Sequence, residues 1–285
     1  MRKKLRDYDG LVKFKRTVVG YLTGKRGKSW LDVLSAFPIF SPLSVGNYRS
    51  NTELTIQAVN QTFPVLRDLT RYLQGDLLAI KDIRSFPKND IELKAVEDLS
   101  ALFDKFGSDK SNHHTYHYFY GAALCRLQKV DALFEVGLGT NNTDVVSNMG
   151  RHGKPGASLR AFREFLPNAN IFGADIDKRI LFSEEKISTF YVDQTSQDTF
   201  TALGENLPEE MDMIIDDGLH SPNANILTLK FGLEKVRVGG WVVIEDIRLA
   251  SLPVWQVVSA LLPENYESHI YDAEGIALFA VQRIS

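Results

Sequence analysis

Ala132-Leu133-Phe134-Glu135-Val136-Gly137-Leu138-Gly139-Thr140 is a short apolar run that ends on two closely spaced glycines. A run of this length, bounded by glycine, reads as a strand buried on both faces. Glycines at its end let the backbone turn tightly and approach a ligand. The same pattern recurs downstream. Strands are expected at Ala132 to Val136, Asn170 to Asp175, Ser188 to Val192, Met211 to Ile215 and Gly240 to Glu245. Helices are expected at Ala157 to Leu166, Asn223 to Val236 and Pro253 to Leu262. Strands alternating with helices make a parallel sheet covered on both faces. The end of the chain differs. Glu267 to Tyr271 and Ile276 to Arg283 flank the turn Asp272-Ala273-Glu274-Gly275, which predicts an antiparallel hairpin.

Upstream of the first strand, a helix is expected from Glu92 to Phe106, then the polar, aromatic run Gly107 to Tyr120, then a helical stretch to Leu127. Residues 1–90 read as a separate helix-rich region for assembly or acceptor selection, with residues 91–285 as the α/β domain. The best helix of the first region runs from Asn51 to Ile80, with Pro64 interrupting it. Trp30 to Val45 is apolar but broken by Asp32, Pro38 and Pro42, which suits a packing or subunit-contact element; a homo-oligomer is expected. With 285 residues and 44% hydrophobic content the chain can build a packed core, and a net charge of -3 argues against nucleic acid as a partner. Residues 1–30 nonetheless carry ten Lys or Arg against Asp7 and Asp9. That basic arm reads as a solvated tail, with weak contact to an anionic membrane surface as the other reading. No apolar run reaches the length of a membrane span and no signal-peptide core is present, so a cytoplasmic location is expected. The single Cys125 excludes a disulfide framework and a zinc cluster, and is expected to be a buried thiol.

Ligands of open α/β sheets bind beyond the carboxyl ends of the strands. Gly137 and Gly139 stand at the first of these ends. Asn142 replaces the third glycine of the pyrophosphate fingerprint, which argues against a dinucleotide. Asp175, preferred over Asp177, can accept bonds from both ribose hydroxyls of an adenosyl group, and Asp193 with Gln194 can bond the adenine amine. Glu135 and Asp216 are counted with this cofactor shell. Met213-Ile214-Ile215-Asp216-Asp217-Gly218-Leu219-His220 delivers two acids and a histidine to the same crevice, and Glu245-Asp246 follows the next strand. Acids crowded in this way repel unless a cation compensates, and all-oxygen ligands suit a hard divalent ion such as Mg2+. Asp217, Glu245 and Asp246 are the expected ligands, and His220 the base that deprotonates a metal-bound hydroxyl. His113, His114 and His117 cluster with Tyr116, Tyr118 and Tyr120 where the chain could fold over the cofactor as a lid. His152 and His269 read as surface or strand residues.

Phe106-Gly107-Ser108-Asp109-Lys110, His114-Thr115-Tyr116, Tyr120, Glu135-Val136-Gly137, Gly156-Ala157-Ser158-Leu159-Arg160, Asp175-Ile176-Asp177, Asp193-Gln194 and Ile215 to His220 together resemble the macrolide-sugar O-methyltransferases, which methylate deoxysugars of mycinamicin and tylosin. The resemblance covers about residues 100 to 250. It implies a Rossmann-like doubly wound α/β sheet with a C-terminal antiparallel hairpin and a helical N-terminal region, S-adenosyl-L-methionine as methyl donor, and Mg2+ dependence. It further implies His220 as the deprotonating residue, Asp217, Glu245 and Asp246 as metal ligands, and a vicinal diol of a small-molecule or glycan acceptor chelating the ion. Ser158 and Arg160 become cofactor contacts, although Arg160 could equally form a salt bridge on its helix, and Lys110 and Tyr116 belong to the lid. Two departures stand out: an insertion from Thr140 to Pro155, expected to adapt the acceptor site, and residues 1–90, which match no motif of the family. The macrolide itself is therefore not carried over. The alternatives are a cephalosporin-hydroxylase-like enzyme, which shares the Asp-Asp-Gly-x-His stretch, and a non-catalytic subunit that binds S-adenosylmethionine.

Overall fold

A computed structural model describes residues 28–43, 46–127 and 129–285, so the basic arm lies almost wholly outside the described residues. The chain divides into two compact units, Met1–Tyr72 and Leu73–Ser285. In the first, α1 (Lys28–Ala36) precedes α2 (Tyr48–Gln74). Helix α2 runs unbroken through Pro64, contrary to the expected interruption. A proline removes one hydrogen bond, and in a helix of 27 residues the remaining rungs carry the segment across it. Gly75, at φ 78, ends the helix short of Ile80.

The second unit opens with β1 (Ile80–Asp82) and the helical pair α3 (Asp90–Phe106) and α4 (His117–Arg126). Then follow β2 (Ala132–Val136), α5 (Ala157–Phe165), β3 (Asn170–Asp175), β4 (Ser183–Glu184), β5 (Ile187–Tyr191) and α6 (Gln197–Gly204). The chain continues through β6 (Met211–Asp216), α7 (Pro222–Lys235), β7 (Val236–Arg248), α8 (Leu252–Leu261), β8 (Tyr266–Asp272) and β9 (Ile276–Arg283). The strands form one sheet in the order β1-β8-β9-β7-β6-β2-β3-β5-β4. Strands β7, β6, β2, β3 and β5 run parallel, and β9 is antiparallel to both β7 and β8. The doubly wound sheet with its terminal hairpin is therefore as expected. Glu274 and Gly275, both at positive φ, close that hairpin, and Ala273 N–H donates to Ile276 O. Strands β1 and β4 and helix α6 were not anticipated, and Cys125 is half-buried on the flank of α4 instead of buried. No described helix is long and apolar enough to cross a membrane.

Every residue of β2 and β6 is buried, as two-sided covering requires. Under α3 and α4 the core is aromatic, with Phe119 packed on Phe86 and edge-on to Trp241. The helical pair is pinned at its base. Asn89 caps α3 by accepting from Glu92 N–H, and Glu92 accepts from Lys88 N–H and from the Arg126 guanidinium at 2.7 and 3.0 Å. The Arg126 bond holds the buried Glu92 carboxyl below its usual range. A depressed carboxylate adds stability above its unfolded pKa, and that stability is lost as pH falls through the folded value. Glu92→Ala is expected to cost about 1–3 kcal/mol at pH 7. In urea titrations the difference from wild type should shrink steadily below about pH 4; a pH-independent difference would contradict the ion-pair account.

Candidate active site

The ends of β2, β6 and β7, adjacent in the sheet, each deliver an acid: Glu135, Asp217 and Glu245. Lys110 meets all of them. Its Nζ lies 2.7 Å from Asp217 Oδ2, 2.7 Å from Glu245 Oε2 and 3.2 Å from Glu135 Oε1, with 1% of the side chain exposed. The lysine comes from the turn between α3 and α4, which Gly107 starts at φ 80. Burial pushes the ammonium toward neutrality, but the carboxylates outweigh it and hold the Lys110 pKa well above the lysine range. On the acids, burial dominates: Glu135 is pushed up to about 7, Asp217 is raised, and Glu245 lies well above the carboxylate range even with Lys110 beside it. Ser158 Oγ donates to Glu135, and Tyr120 OH donates to Glu245.

This arrangement corrects the expected lid. Lys110, Tyr116 and Tyr120 are buried and form the floor of the site. These three face inward because their partners are the strand-end acids, whereas Asn112 and His113 of the same run are exposed and Ser111 and Asn112 bond Asp104. Tyr116 OH donates to Asp246 Oδ1 at 2.7 Å and accepts from Asp246 N–H at 3.1 Å. His114, stacked on Tyr116, brings Nε2 to 3.7 Å from the same Oδ1.

Above this floor, Asp217, His220 and Asp246 present donor atoms that all lie within 4.8 Å of one another. His220 Nε2 is 3.5 Å from Asp246 Oδ2 and 3.9 Å from Asp217 Oδ1. Glu245 is not in this group. It stands one layer deeper, with both oxygens already engaged by Lys110 and Tyr120. His220 at φ 53 and Asp246 at φ 57 occupy the left-handed region, which is strained for side chains of this kind. At Asp246 the cause is visible: the pairing of β7 with β9 slips between Ile244 and Ile247, and this bulge re-aims the acid toward β6.

A cavity of ≈ 540 Å³ runs from this triad across the strand ends to Asp175 and Asp193, with Gly139, Ile176 and Gln194 along its wall. A second, of ≈ 290 Å³, shares Asp109, Gly139, Met149 and Asp217 with it and reaches Ser158. Asp175 accepts from Leu138 N–H and Asp177 N–H at 2.8 Å each, which leaves oxygen lone pairs for the cavity, and burial raises its pKa. Asp177 is spent on Thr140, Asn142 and Arg179, which leaves Asp175 the freer of the two acids. Gln194 is more constrained than expected. Its amide donates to Asp216 and Thr228 and its oxygen accepts from Leu219 N–H, so it shapes the wall. Glu135 and Asp216 are fully buried beneath the cavities, and Arg160 lies apart from them, paired with Glu184 at 2.7 Å and set over the Phe182 ring. The insertion Thr140–Pro155 is the true cover: Ser147 Oγ donates to Gly218 O at 2.8 Å, and Val145 and Met149 line the larger cavity.

No known protein-family model matches the chain. It is 24% identical over 162 residues to the 8-demethyl-8-alpha-L-rhamnosyl tetracenomycin-C 2'-O-methyltransferase of Streptomyces olivaceus, covering 56% of this chain and 40% of that protein. It is 32% identical over 164 residues to the 8-demethyl-8-(2-methoxy-alpha-L-rhamnosyl)-tetracenomycin-C 3'-O-methyltransferase of the same organism, covering 55% and 38%. The demethylmacrocin O-methyltransferase of Streptomyces fradiae matches at 35% over 99 residues, 34% of this chain and 25% of that one. The chain thus spans two fifths or less of the length of these relatives. Among solved structures, a methyltransferase of the mycinamycin biosynthetic pathway in complex with Mg and SAH superposes with a TM-score of 0.52 at 23% identity, over 65% of this chain and 54% of that one. The chain is thus similar in sequence to natural-product sugar O-methyltransferases and shares a Rossmann-like fold with a solved methyltransferase.

The glycines also follow from this geometry. Gly137, at φ 95, is required less by a ligand than by the chain itself, because a Cβ there would collide with the Asp217 carbonyl oxygen. At Gly139, φ 73, a Cβ would meet only the flexible Met149 side chain, at 3.1 Å. Gly137→Ala should therefore cost at least about 3 kcal/mol in denaturant unfolding, and Gly139→Ala about 1 kcal/mol. Equal costs would show that the close approach of Asp217 is not what demands the first glycine.

Proposed function

We propose that this protein is a metal-dependent O-methyltransferase that transfers the methyl group of S-adenosyl-L-methionine to a hydroxyl of a sugar, carried on a glycoside, a polysaccharide or a natural product. The observation that carries the reading is the placement of the Asp217, His220 and Asp246 donor atoms on the wall of a cavity whose far end holds Asp175 and Asp193. The likeness to sugar O-methyltransferases supports the acceptor class.

The chain fits both groups this reading requires. For the nucleoside, Asp175 offers carboxylate lone pairs to ribose hydroxyls and Asp193 stands at the adenine end, while Ser158 and Gly139 lie along the remainder of the cofactor path. For the ion, the site holds more carboxylates than Lys110 can balance; burial, with the neighbouring carboxylates adding to it, raises the pKa of Glu135 and Glu245. Asp217 and Asp246 would hold a hard divalent ion, Mg2+ by preference, with Glu245 in the layer below. When bound, such an ion lowers the pKa of an acceptor hydroxyl. His220 is the base, taking the hydroxyl proton on Nε2. It is assigned this role over that of a ligand because an Nε2 bound to the ion would have no lone pair left for the proton.

The N-terminal unit is proposed to serve assembly into a homo-oligomer or selection of the acceptor. Val65, Leu69 and Tyr72, exposed at helical spacing along α2, support this.

Two outcomes test the site. His220→Ala should lose at least about a hundredfold in methyl-transfer rate while S-adenosylhomocysteine affinity, read by calorimetry, stays within about twofold. Retained turnover would remove His220 from the mechanism. Stripping divalent ions with a chelator should abolish methyl uptake across a panel of sugar nucleotides and glycosides, and Mg2+ should restore it; full activity in metal-free buffer would refute the metal role.

A further inference from the structure

The smaller cavity, of ≈ 290 Å³, meets the larger one at Asp109, Gly139, Met149 and Asp217 and ends on the first residues of α5. Its wall carries two opposite charges. Asp109, half-buried, stands on the turn between α3 and α4, and Lys154 stands near the end of the segment Thr140–Pro155. Lys154 Nζ lies across Gly107, where a Cβ would be only 2.8 Å from it. Among the described residues neither of these side chains makes a hydrogen bond or an ion pair, with the other or with any third group. The neighbouring acids are already engaged. Asp217 is held by Lys110, and Glu135, counted with the cofactor shell from the sequence, is held by Lys110 and Ser158 and lines neither cavity.

We propose that this cavity receives the amino-acid end of S-adenosyl-L-methionine, with Lys154 holding its α-carboxylate and Asp109 its α-ammonium. The inference rests on the cofactor reading above and deepens it. The junction of the two cavities adjoins Asp217, so a sulfonium there stands beside the proposed acceptor site, and the chain beyond it has the smaller cavity to enter. A zwitterion needs one receptor of each sign at separate points, and two unpaired side chains of opposite charge supply them. Helix α5 adds to the carboxylate end. No side chain caps it, and Ala157 and Ser158 line the cavity, so the partial positive charge of its first turn faces the same space. Lys154 lies in the stretch expected to adapt the acceptor site; the last residues of that stretch thereby serve the donor, while Val145 and Met149 line the larger cavity.

The test uses the full chain, calorimetry and adenosyl ligands that differ only at the amino-acid end. The wild type should bind S-adenosylhomocysteine at least about tenfold more tightly than 5'-methylthioadenosine, which lacks both charged groups. Lys154→Met should weaken S-adenosylhomocysteine about fivefold or more, the low end for a charge-assisted bond because the lysine is exposed. It should leave 5'-methylthioadenosine and the decarboxylated analogue of S-adenosylhomocysteine within about twofold. Asp109→Asn should weaken S-adenosylhomocysteine similarly and leave the deaminated analogue within about twofold. A variant that weakens every ligand by the same factor, or none of them, overturns the role of that residue. A wild type that binds S-adenosylhomocysteine and 5'-methylthioadenosine alike overturns the inference and leaves the nucleoside reading standing; one that binds neither overturns both.

Discussion

One buried ammonium surrounded by carboxylates from adjacent strand ends holds this site together. An ion removed from water costs several kcal/mol unless it is paired and hydrogen-bonded, and the same is true of each acid around Lys110. Each partner is therefore dependent on the others: Lys110 without Glu135, Asp217 and Glu245 would be an unpaired buried cation, and those acids without Lys110 would repel one another. Lysine suits the position because its compact charge can serve several acceptors in different directions, whereas a planar guanidinium favours one carboxylate at a time. Balance is still incomplete. With Asp246 alongside, the acids outnumber the lysine.

The rest of the second unit keeps that ammonium in register. Helices α3 and α4 carry the turn that bears Lys110 and Tyr116, and the Glu92–Arg126 pair and the aromatic packing of Phe119 hold those helices to each other and to the sheet. On the strand side, the close approach of Gly137 to Asp217 and the bulge in β7 fix the two outer acids. The left-handed backbone at His220 and Asp246 stores strain of about 1–3 kcal/mol each, and at Asp246 the bonds to Tyr116 offset part of it.

Much of this was legible from residue order alone, for identifiable reasons. Strands β2, β3 and β6 are short apolar runs closed by glycine or acid, and β8 and β9 flank a turn with a glycine in place, so local pattern sufficed. Asp175, Asp217, His220 and Asp246 could be singled out because polar residues at strand ends share one crevice, and the structure places all four along one cavity wall. The failures involve partners far apart in sequence. Lys110 and Glu245 are 135 residues apart, and a Gly-, His- and Tyr-rich run with a lysine reads locally as exposed loop, so the floor was taken for a lid. Gln194 and Arg160 have the polarity expected of cofactor contacts, but Asp216, Thr228 and Glu184 engage their hydrogen-bonding groups. The left-handed backbone of Asp246 has no local signal at all, since the slip that produces it lies in the pairing with β9.

The segment Thr140–Pro155 is tied to the second unit apart from the charged floor. It is anchored at both ends of the larger cavity, through Ser147 to Gly218 beside the acids, and through Thr140, Asn142 and Asp144 to Asp177 and Arg179 beside β3. None of these bonds involves Lys110, Glu135, Glu245 or Tyr116, so the cover is mechanically separate from the charged floor. Along the larger cavity it places the apolar Val145, Val146 and Met149 beside the polar Thr140, Ser147 and Asn148, and the apolar three make no directed bonds that fix a particular ligand shape. Exchanging such residues alters the volume and shape of the wall at small cost to the fold, whereas any change in the floor leaves a buried charge unpaired. Selectivity for the acceptor can therefore vary in the cover while the floor stays fixed.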